Sequence, residues 1–454
     1  MKPSGMDSTF NDSVYDDDRF TSIHAAILFA DLENSVMISS VLPGPEYNHL
    51  INTFQGAMLE VVHALKSQTQ QEGYVAEFHI AGDQLSIFFY DPQEVERNYA
   101  LDGPEPLVGE ERAQAIANSR QINIDIAIAA LKAAIQLKNR WLIEAGNMAR
   151  VVRHYEPFGL AIGLHAGRVH YSLRPDGTRR AEGYTINLAK RIEGFARQGL
   201  YSRIMVSQKF HDLIRTCVVK HSQLRSRIFF HRHEMAMELL KGISHGQSVY
   251  ELKFYHRIGV AVPLEVVKLY EIVFAADKAN SWAFYQLVVH YIYQAKNWPR
   301  VLELANIASV IHPRDEMVHY VLSKYYFEVG NLEMSMRYAE NALRLNDGFD
   351  LAHEQLALIA HQLEDKEQQI FHLREATTLS PGSAVNHLNL GLALLETGKM
   401  DKGEYHIREA LRIYPEYETY PLFTSSIKMM RDTHKLPESM YDLAQDNSAE
   451  ATAG

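Results

Sequence analysis

From Ser22 to about Tyr255 the apolar positions fall into short runs: HAAILFA, YVAEFHI, LSIFFY, FGLAIGLHAG and SVYELKFY. Each has strand length and a composition rich in β-branched and aromatic residues. Between them, NHLINTFQGAMLEVVHALKS and INIDIAIAALKAAIQLKNRWLIEAG place apolar residues at helical spacing. The alternation predicts a mixed domain, α/β or α+β. Within it, Asp91 to Gln121 is rich in proline, glycine and charge and reads as a surface insertion.

After Val262 the strand pattern stops and a helical pattern with an internal period takes over. Ala308, Ala342, Ala376 and Ala410 stand 34 residues apart, as do Pro381 and Pro415, and Gly330 and Gly398 are two periods apart. A small residue, a turn residue and a helix-ending proline that share one period mark stacked helix pairs. This half resembles the tetratricopeptide family, whose unit is a helix-turn-helix of that length. About four units fit between Ala283 and Glu418, the clearest being NLGLALLETGKMDKGEYHIREALRIYP, and Glu364 stands where a turn glycine is expected. The resemblance implies an all-α solenoid whose concave surface takes a peptide or another domain, and hence an unidentified protein partner. The expected division is a disordered N-terminus over 1–21, a first domain over 22–255, a linker and first helix over 256–282, repeats over 283–435 and a disordered tail over 436–454.

Composition narrows the function. A chain of 454 residues has room for two or three cores. Cys217 is the single cysteine, so no internal disulfide forms, which fits a reducing compartment. No window approaches the roughly 18 apolar residues of a membrane span, and the N-terminus has no apolar signal core, so a soluble cytoplasmic protein is expected. A net charge of −11 argues against a general nucleic-acid binder. A polyphosphate ligand must then be held by a local cluster or by metal ions.

The candidate chemistry lies in the first half. HAAILFADLENS places Asp31 at the end of an apolar strand, and EFHIAGDQLSIFF places Asp83 after Gly82 in the turn of a hairpin. Two carboxylates at the ends of neighbouring strands can share divalent ions, although either alone is an ordinary turn residue. In RRAEGYTINLAKR, Gly183 ends a loop, Thr185 can cap, and INLAKRIEGFARQG runs on as a helix with Leu188, Ile192 and Phe195 inward. Asn187 and Arg191 then share one face, a turn apart, an arrangement that a solvated polar face also gives. HRH at His231–His233 reads as a solvated strand, His165 as structural, and RPDGTRR as a basic turn that is either plain surface or part of a pocket.

The segments ILFADLENS, IAGDQLSIFF, LAIGLHAGRV, EGYTINLAKRIEGFARQG, IMVSQKF and LKGISHGQSVYEL occur in the order and near the spacing found in class III nucleotidyl cyclases, which the first half resembles. The resemblance implies an α+β ferredoxin-like cyclase fold and a homodimer whose active sites are shared across the interface. It implies a nucleoside triphosphate substrate and two divalent metal ions, Mg2+ or Mn2+, on Asp31, Asp83 and the backbone of Leu32. Asn187 and Arg191 would act from the other copy, Asn187 orienting the ribose and Arg191 neutralising charge on the transferring phosphoryl group. The bound metals would lower the pKa of the ribose 3′-hydroxyl, which attacks the α-phosphorus as pyrophosphate leaves. Lys241, in the LKG turn, is a candidate for the terminal phosphates, with an ordinary surface lysine as the alternative.

Two positions choose the base in that family, and here they hold His79 and Arg180. Neither fits the adenine or guanine pattern. An arginine only donates, so Arg180 suits a carbonyl, uracil O4 or guanine O6, and cannot accept from the amine of adenine or cytosine. Guanine would also want a carboxylate for its N1 and N2 donors, and His79 is not one, so uracil is the better match. In these departures the chain resembles the bacterial pyrimidine cyclases that make cyclic UMP or cyclic CMP as an alarm against phage. The alternatives are an adenylate or guanylate cyclase with an unusual base pocket, or an inactive cyclase fold that dimerises the repeat arms. The presence of Asp31, Asp83, Asn187 and Arg191 together argues for the enzyme.

Overall fold

The computed structural model describes residues 20–94, 124–153, 155, 157–173, 179–220, 226–235, 247–257, 264–415, 421–433, 435–437 and 439–441. They form two compact units, one of residues up to Ile214 with Phe229–Lys253, the other of Arg215–Ile228 and everything from Phe254 onward.

The sheet has strands β1 (Phe20–Leu32), β2 (Val75–Ala81), β3 (Gln84–Tyr90), β4 (Leu160–Leu173), β5 (Arg179–Glu182), β6 (Ile204–Ser207), β7 (Ser226–Met235) and β8 (Gln247–Arg257). Seven follow the order β2-β3-β1-β4-β6-β8-β7, and β5 pairs with β4. The accompanying helices are α1 (Ser35–Val41), α2 (Gly44–Gln71), α3 (Ile124–Leu142), α4 (Ala145–Val152), α5 (Tyr184–Ala196) and α6 (Gln208–Lys220). β1, α2, β2, β3, α3 and β4 make a βαββαβ unit with spatial strand order 4-1-3-2, the ferredoxin-like arrangement. The first unit thus has the expected α+β ferredoxin-like arrangement. β1 lies between β3 and β4, antiparallel to both. Covered on both faces, it is buried at every residue from Ile23 to Ala30, which explains a continuous apolar run rather than an alternating one.

β4 and β6 run parallel, and α5 connects across them. Leu188, Ile192 and Phe195 pack with Ala161, Met205 and Val249. The approach of helix to strand is tightest at Gly163, where an added Cβ would stand 2.6 Å from Cα of Glu193 and 2.7 Å from the Ala189 carbonyl. α5 therefore sits directly on β4, and its polar residues have fixed positions.

Several local expectations need correction. Arg179–Glu182 is not a loop but strand β5, with Arg180 opposite Ser172. Gly183 occupies the N-cap position of α5 at φ 131°, while the Thr185 hydroxyl donates to the Arg168 carbonyl at 2.5 Å instead of capping. Residues 95–121 of the expected insertion lie outside the described residues. Glu94, just before them, is buried and accepts from the His24 amide at 3.1 Å and meets His24 Nδ1 at 2.7 Å. His233 is not solvated. Its Nε2 stands 3.0 Å from the fully buried Glu251, which also accepts from the amides of Leu200, Tyr201 and Arg203. Burial alone would push Glu251 up, but His233 and the three amides hold it below the usual carboxylate range. His165 is buried against Ser207 Oγ at 2.6 Å, as a structural residue would be.

The second unit is all helical: α7 (Leu264–Ala276), α8 (Ser281–Val289) continuing as a π-helix (His290–Gln294), α9 (Trp298–Ile311), α10 (Glu316–Glu328), α11 (Leu332–Leu345), α12 (Asp350–Gln362), α13 (Lys366–Leu379), α14 (Ala384–Glu396), α15 (Met400–Ile413) and α16 (Pro421–Asp432). The period shows in the backbone. Lys296, Gly330, Glu364 and Gly398 all have positive φ, at 49°, 78°, 59° and 74°. The next residue caps the following helix in three of the four repeats: Asn297, Asn331 and Asp365 accept from the amides of Arg300, Met334 and Gln368. Ala308, Ala342, Ala376 and Ala410 are all buried where paired helices meet. Of the segment expected as a tail, Leu436 and Met440 pack with Phe423, Ile427 and Met430, and residues 442–454 lie outside the described residues. Among the described residues no helix is long and apolar enough to cross a membrane.

Candidate active site around Asp31

β1 carries Asp31 at its next-to-last position, opposite Gln84 of β3. One step further, the Leu32 amide donates to the Asp83 carbonyl at 3.1 Å, so the β2–β3 turn is tied to the end of β1. Gly82, at φ 60°, makes that turn, and its carbonyl accepts from Gln55 Nε2 of α2 at 2.8 Å. Asp31 and Asp83 are thereby brought to one end of neighbouring strands, as the sequence predicts.

Asp31 is 7 % exposed and its pKa is pushed up to about 6. Burial is the largest cause, followed by the negative charge of Glu193; Lys190 and Arg197 pull the other way, and Asp83 adds to the rise. The cations come from one stripe of α5 and the turn after it. Arg197 donates to Asp31 Oδ2, Lys190 Nζ lies 3.9 Å from the same oxygen and 2.6 Å from Glu193 Oε2, and Arg197 lies 3.6 Å from Glu193 Oε1. Lys190 also stands over the Phe29 ring at 5.6 Å. At the start of α2, burial raises the Tyr47 phenol, and Asp83 and Asp31 raise it further.

These residues suit a divalent ion. The carboxylates of Asp31, Asp83 and Glu193 lie close enough to act on one another, and burial, followed by the charge of Glu193, raises the Asp31 carboxyl. Among the described residues no group of three His, Cys, Asp or Glu stands ready as a complete metal site. A hard cation on Asp31 and Asp83 would therefore take its remaining oxygens from water or from substrate phosphates, as magnesium commonly does.

The other expected residues lie elsewhere. Asn187 is exposed and Arg191 half-buried on a different stripe of α5 from Lys190, Glu193 and Arg197. Among the described residues neither bonds to Asp31 or Asp83 of its own chain, and the buried Arg191 Nη1 has no hydrogen-bond partner. His79 is exposed on β2, opposite Ser86. Arg180 is placed by its backbone on β5. Lys241 lies outside the described residues. The residues that sequence reasoning missed are Lys190, Glu193, Arg197 and Tyr47. The signal for three of them was present in INLAKRIEGFARQG, where charges recur at three- and four-residue spacing on a helix whose neighbouring positions are apolar.

A tetratricopeptide repeat model matches residues 352–383. Among solved structures, the adenylyl cyclase CyaB from P. aeruginosa is 17 % identical, with 53 % of this chain and 99 % of that chain covered and a TM-score of 0.36. The guanylyl cyclase Cya2 is 16 % identical, covering 53 % of this chain and 95 % of that one, with a TM-score of 0.28. TTC0263, a thermophilic TPR protein in Thermus thermophilus, is 20 % identical over 36 % of this chain and 88 % of its own, with a TM-score of 0.32. A search of curated proteins finds no match.

Proposed function

We propose that the first unit is a metal-dependent nucleotidyl cyclase that converts a nucleoside triphosphate to a 3′,5′-cyclic nucleotide and pyrophosphate, with UTP the favoured substrate. The observation that carries this reading is the tie between Leu32 and Asp83, which sets Asp31 and Asp83 side by side at a buried strand end. Two Mg2+ or Mn2+ ions held there would neutralise the triphosphate and acidify the ribose 3′-hydroxyl. Asp31 and Asp83 position the triphosphate end. Asn187 and Arg191, turned away from the aspartates of their own chain, serve the site of a second copy: Asn187 holds the ribose, and Arg191 donates to the oxygens of the phosphoryl group under attack. The buried, unpartnered Nη1 of Arg191 supports a role completed by another molecule.

The base preference is supported by the donor inventory of Arg180 and by the exposed ring of His79 on an edge strand. The phage-alarm role, with cyclic UMP as the messenger, is supported by the sequence resemblance. The test is incubation of purified protein with each of the four nucleoside triphosphates and Mn2+. Cyclic UMP is the expected main product. Cyclic AMP as the main product overturns the pyrimidine assignment, and no turnover of any nucleotide with Mg2+ or Mn2+ hands the chain to the scaffold reading.

A further inference from the structure

The stripe of α5 that carries Asn187 and Arg191 has a third member. Tyr184, the first residue of the helix, stands three before Asn187 and seven before Arg191, so the three share one side of α5. What points the other way fixes the helix about its axis. The Thr185 hydroxyl donates to the Arg168 carbonyl at 2.5 Å, Ile186 packs against the cluster of Val169 and Ala189, and Leu188 and Ile192 pack with Ala161 and Met205. Tyr184 is left 52 % exposed, and among the described residues neither its ring nor its hydroxyl has a partner. A large ring held half in water adds little to the core. On the same stripe, the buried Nη1 of Arg191 also lacks a hydrogen-bond partner. β5 enters α5 through Gly183 alone, so Arg180 comes only four residues before Tyr184.

We propose that Tyr184 is the platform on which the nucleobase stacks, in the site that its α5 shares with the aspartates of a second copy. The inference rests on the cyclase reading and extends it from the ribose and phosphates to the base. In that reading Arg191 serves the phosphoryl group under attack and Asn187 the ribose. An α-helix rises about 1.5 Å per residue, so α5 advances about 6 Å from Arg191 to Asn187 and about 4.5 Å more to Tyr184. The order along the helix is then the order phosphate, ribose, base along the substrate. Arg180, on the strand that leads into α5, lies at the same end. A donor for the edge of the base and a ring for its face thus come from the two sides of Gly183, which puts no side chain between them. Tyrosine suits the task because its ring offers a broad apolar face with few rotatable bonds to fix. Every base has a π-face, so the platform adds affinity without choosing among bases, and the choice stays with Arg180 and His79.

The experiment is calorimetric binding of 3′-deoxy-UTP, which lacks the attacking hydroxyl, to the full chain in Mn2+, with inorganic tripolyphosphate as the ligand without a base. Tyr184→Ala should weaken 3′-deoxy-UTP by about five- to a hundredfold, the range of base–aromatic stacking, and leave tripolyphosphate within about twofold. A similar factor is expected with 3′-deoxy-ATP. Tyr184→Phe should keep the wild-type affinity, whereas Tyr184→Leu, apolar but without a π-face, should lose most of it. Unchanged 3′-deoxy-UTP affinity in folded Tyr184→Ala or Tyr184→Leu overturns the proposal. An equal loss for tripolyphosphate overturns it too, because the ring would then serve the fold or the pairing of copies. The cyclase reading fails separately: base-dependent loss in the variants without turnover of UTP by the wild type keeps the platform and removes the enzyme. Turnover by the wild type with unchanged affinity in the variants does the reverse, and a wild type that binds no nucleotide overturns both.

Discussion

Arg197 and Asp31, 166 residues apart in sequence, are joined by a hydrogen-bonded ion pair at the end of β1. A metal ion would draw on the same carboxylate, so the guanidinium competes with the cation for it. Arg197 is 43 % exposed by its side chain, and such partly solvated pairs contribute roughly 0.2–1 kcal/mol. Arg197→Gln should therefore tighten Mn2+ binding by about two- to fivefold, measured by calorimetry without nucleotide. Weaker binding in the variant would show instead that Arg197 positions Asp31 for the ion.

Asp31 predicts a pH dependence of stability in metal-free protein. Its pKa rises from 3.8 to about 6 in the fold, so between those values the folded state binds more protons than the unfolded one. Stability then falls as pH rises through that window, and the cost is fully present above pH 6. Asp31→Asn removes the charge while keeping the shape. It should abolish turnover yet raise stability at pH 7.5 by about 1–3 kcal/mol, with little gain at pH 3.5, as read by denaturant unfolding in chelator.

Shared sites predict complementation. A chain with Asp83→Ala lacks one metal ligand, and a chain with Arg191→Ala lacks the donor supplied from the other copy. Each alone should be inactive. Mixed and re-equilibrated, they should recover part of the wild-type rate, because each mixed dimer keeps one intact site and one doubly damaged site. Failure to recover, with mixed dimers demonstrated by mass spectrometry, would show that Asn187 and Arg191 serve the site of their own chain.

Much of this was legible in the sequence, for identifiable reasons. β1 to β4 and the long helices announced themselves because buried strands and helices of that length have strong apolar patterns. Asp31 and Asp83 were legible because one ends an apolar strand and the other follows the turn glycine of a two-residue hairpin, which leaves little freedom in register. β5 was read as a loop because four residues rich in arginine carry no strand pattern, and its pairing with β4 is a tertiary matter. The cluster of Lys190, Glu193 and Arg197 was hidden because charged residues on a helix usually face water. Only the contact of α5 with β4 at Gly163 turns that stripe toward Asp31.

The repeat positions also predict stabilising changes. At the turn between paired helices the chain enters the left-handed region in all four repeats, and only two of the four residues are glycine. Glu364 at φ 59° pays for the clash of its Cβ, roughly 1 kcal/mol, which glycine avoids at some cost in unfolded-state entropy. The next position caps the following helix through Asn297, Asn331 and Asp365, but its fourth equivalent, Lys399, makes no side-chain cap bond. Lys399→Asp supplies an acceptor for the amide three residues on and places a negative charge at the helix N-terminus, where the dipole favours it. Each of Glu364→Gly and Lys399→Asp should stabilise by about 0.5–1 kcal/mol, measured by denaturant unfolding of the full chain. The two lie about one period apart and share no partner, so their effects should add in the double variant. A neutral Lys399→Asp paired with a stabilising Lys399→Ser would place the effect on the hydroxyl geometry rather than on charge, whereas no gain from either would mean that the α15 terminus is already satisfied by other groups.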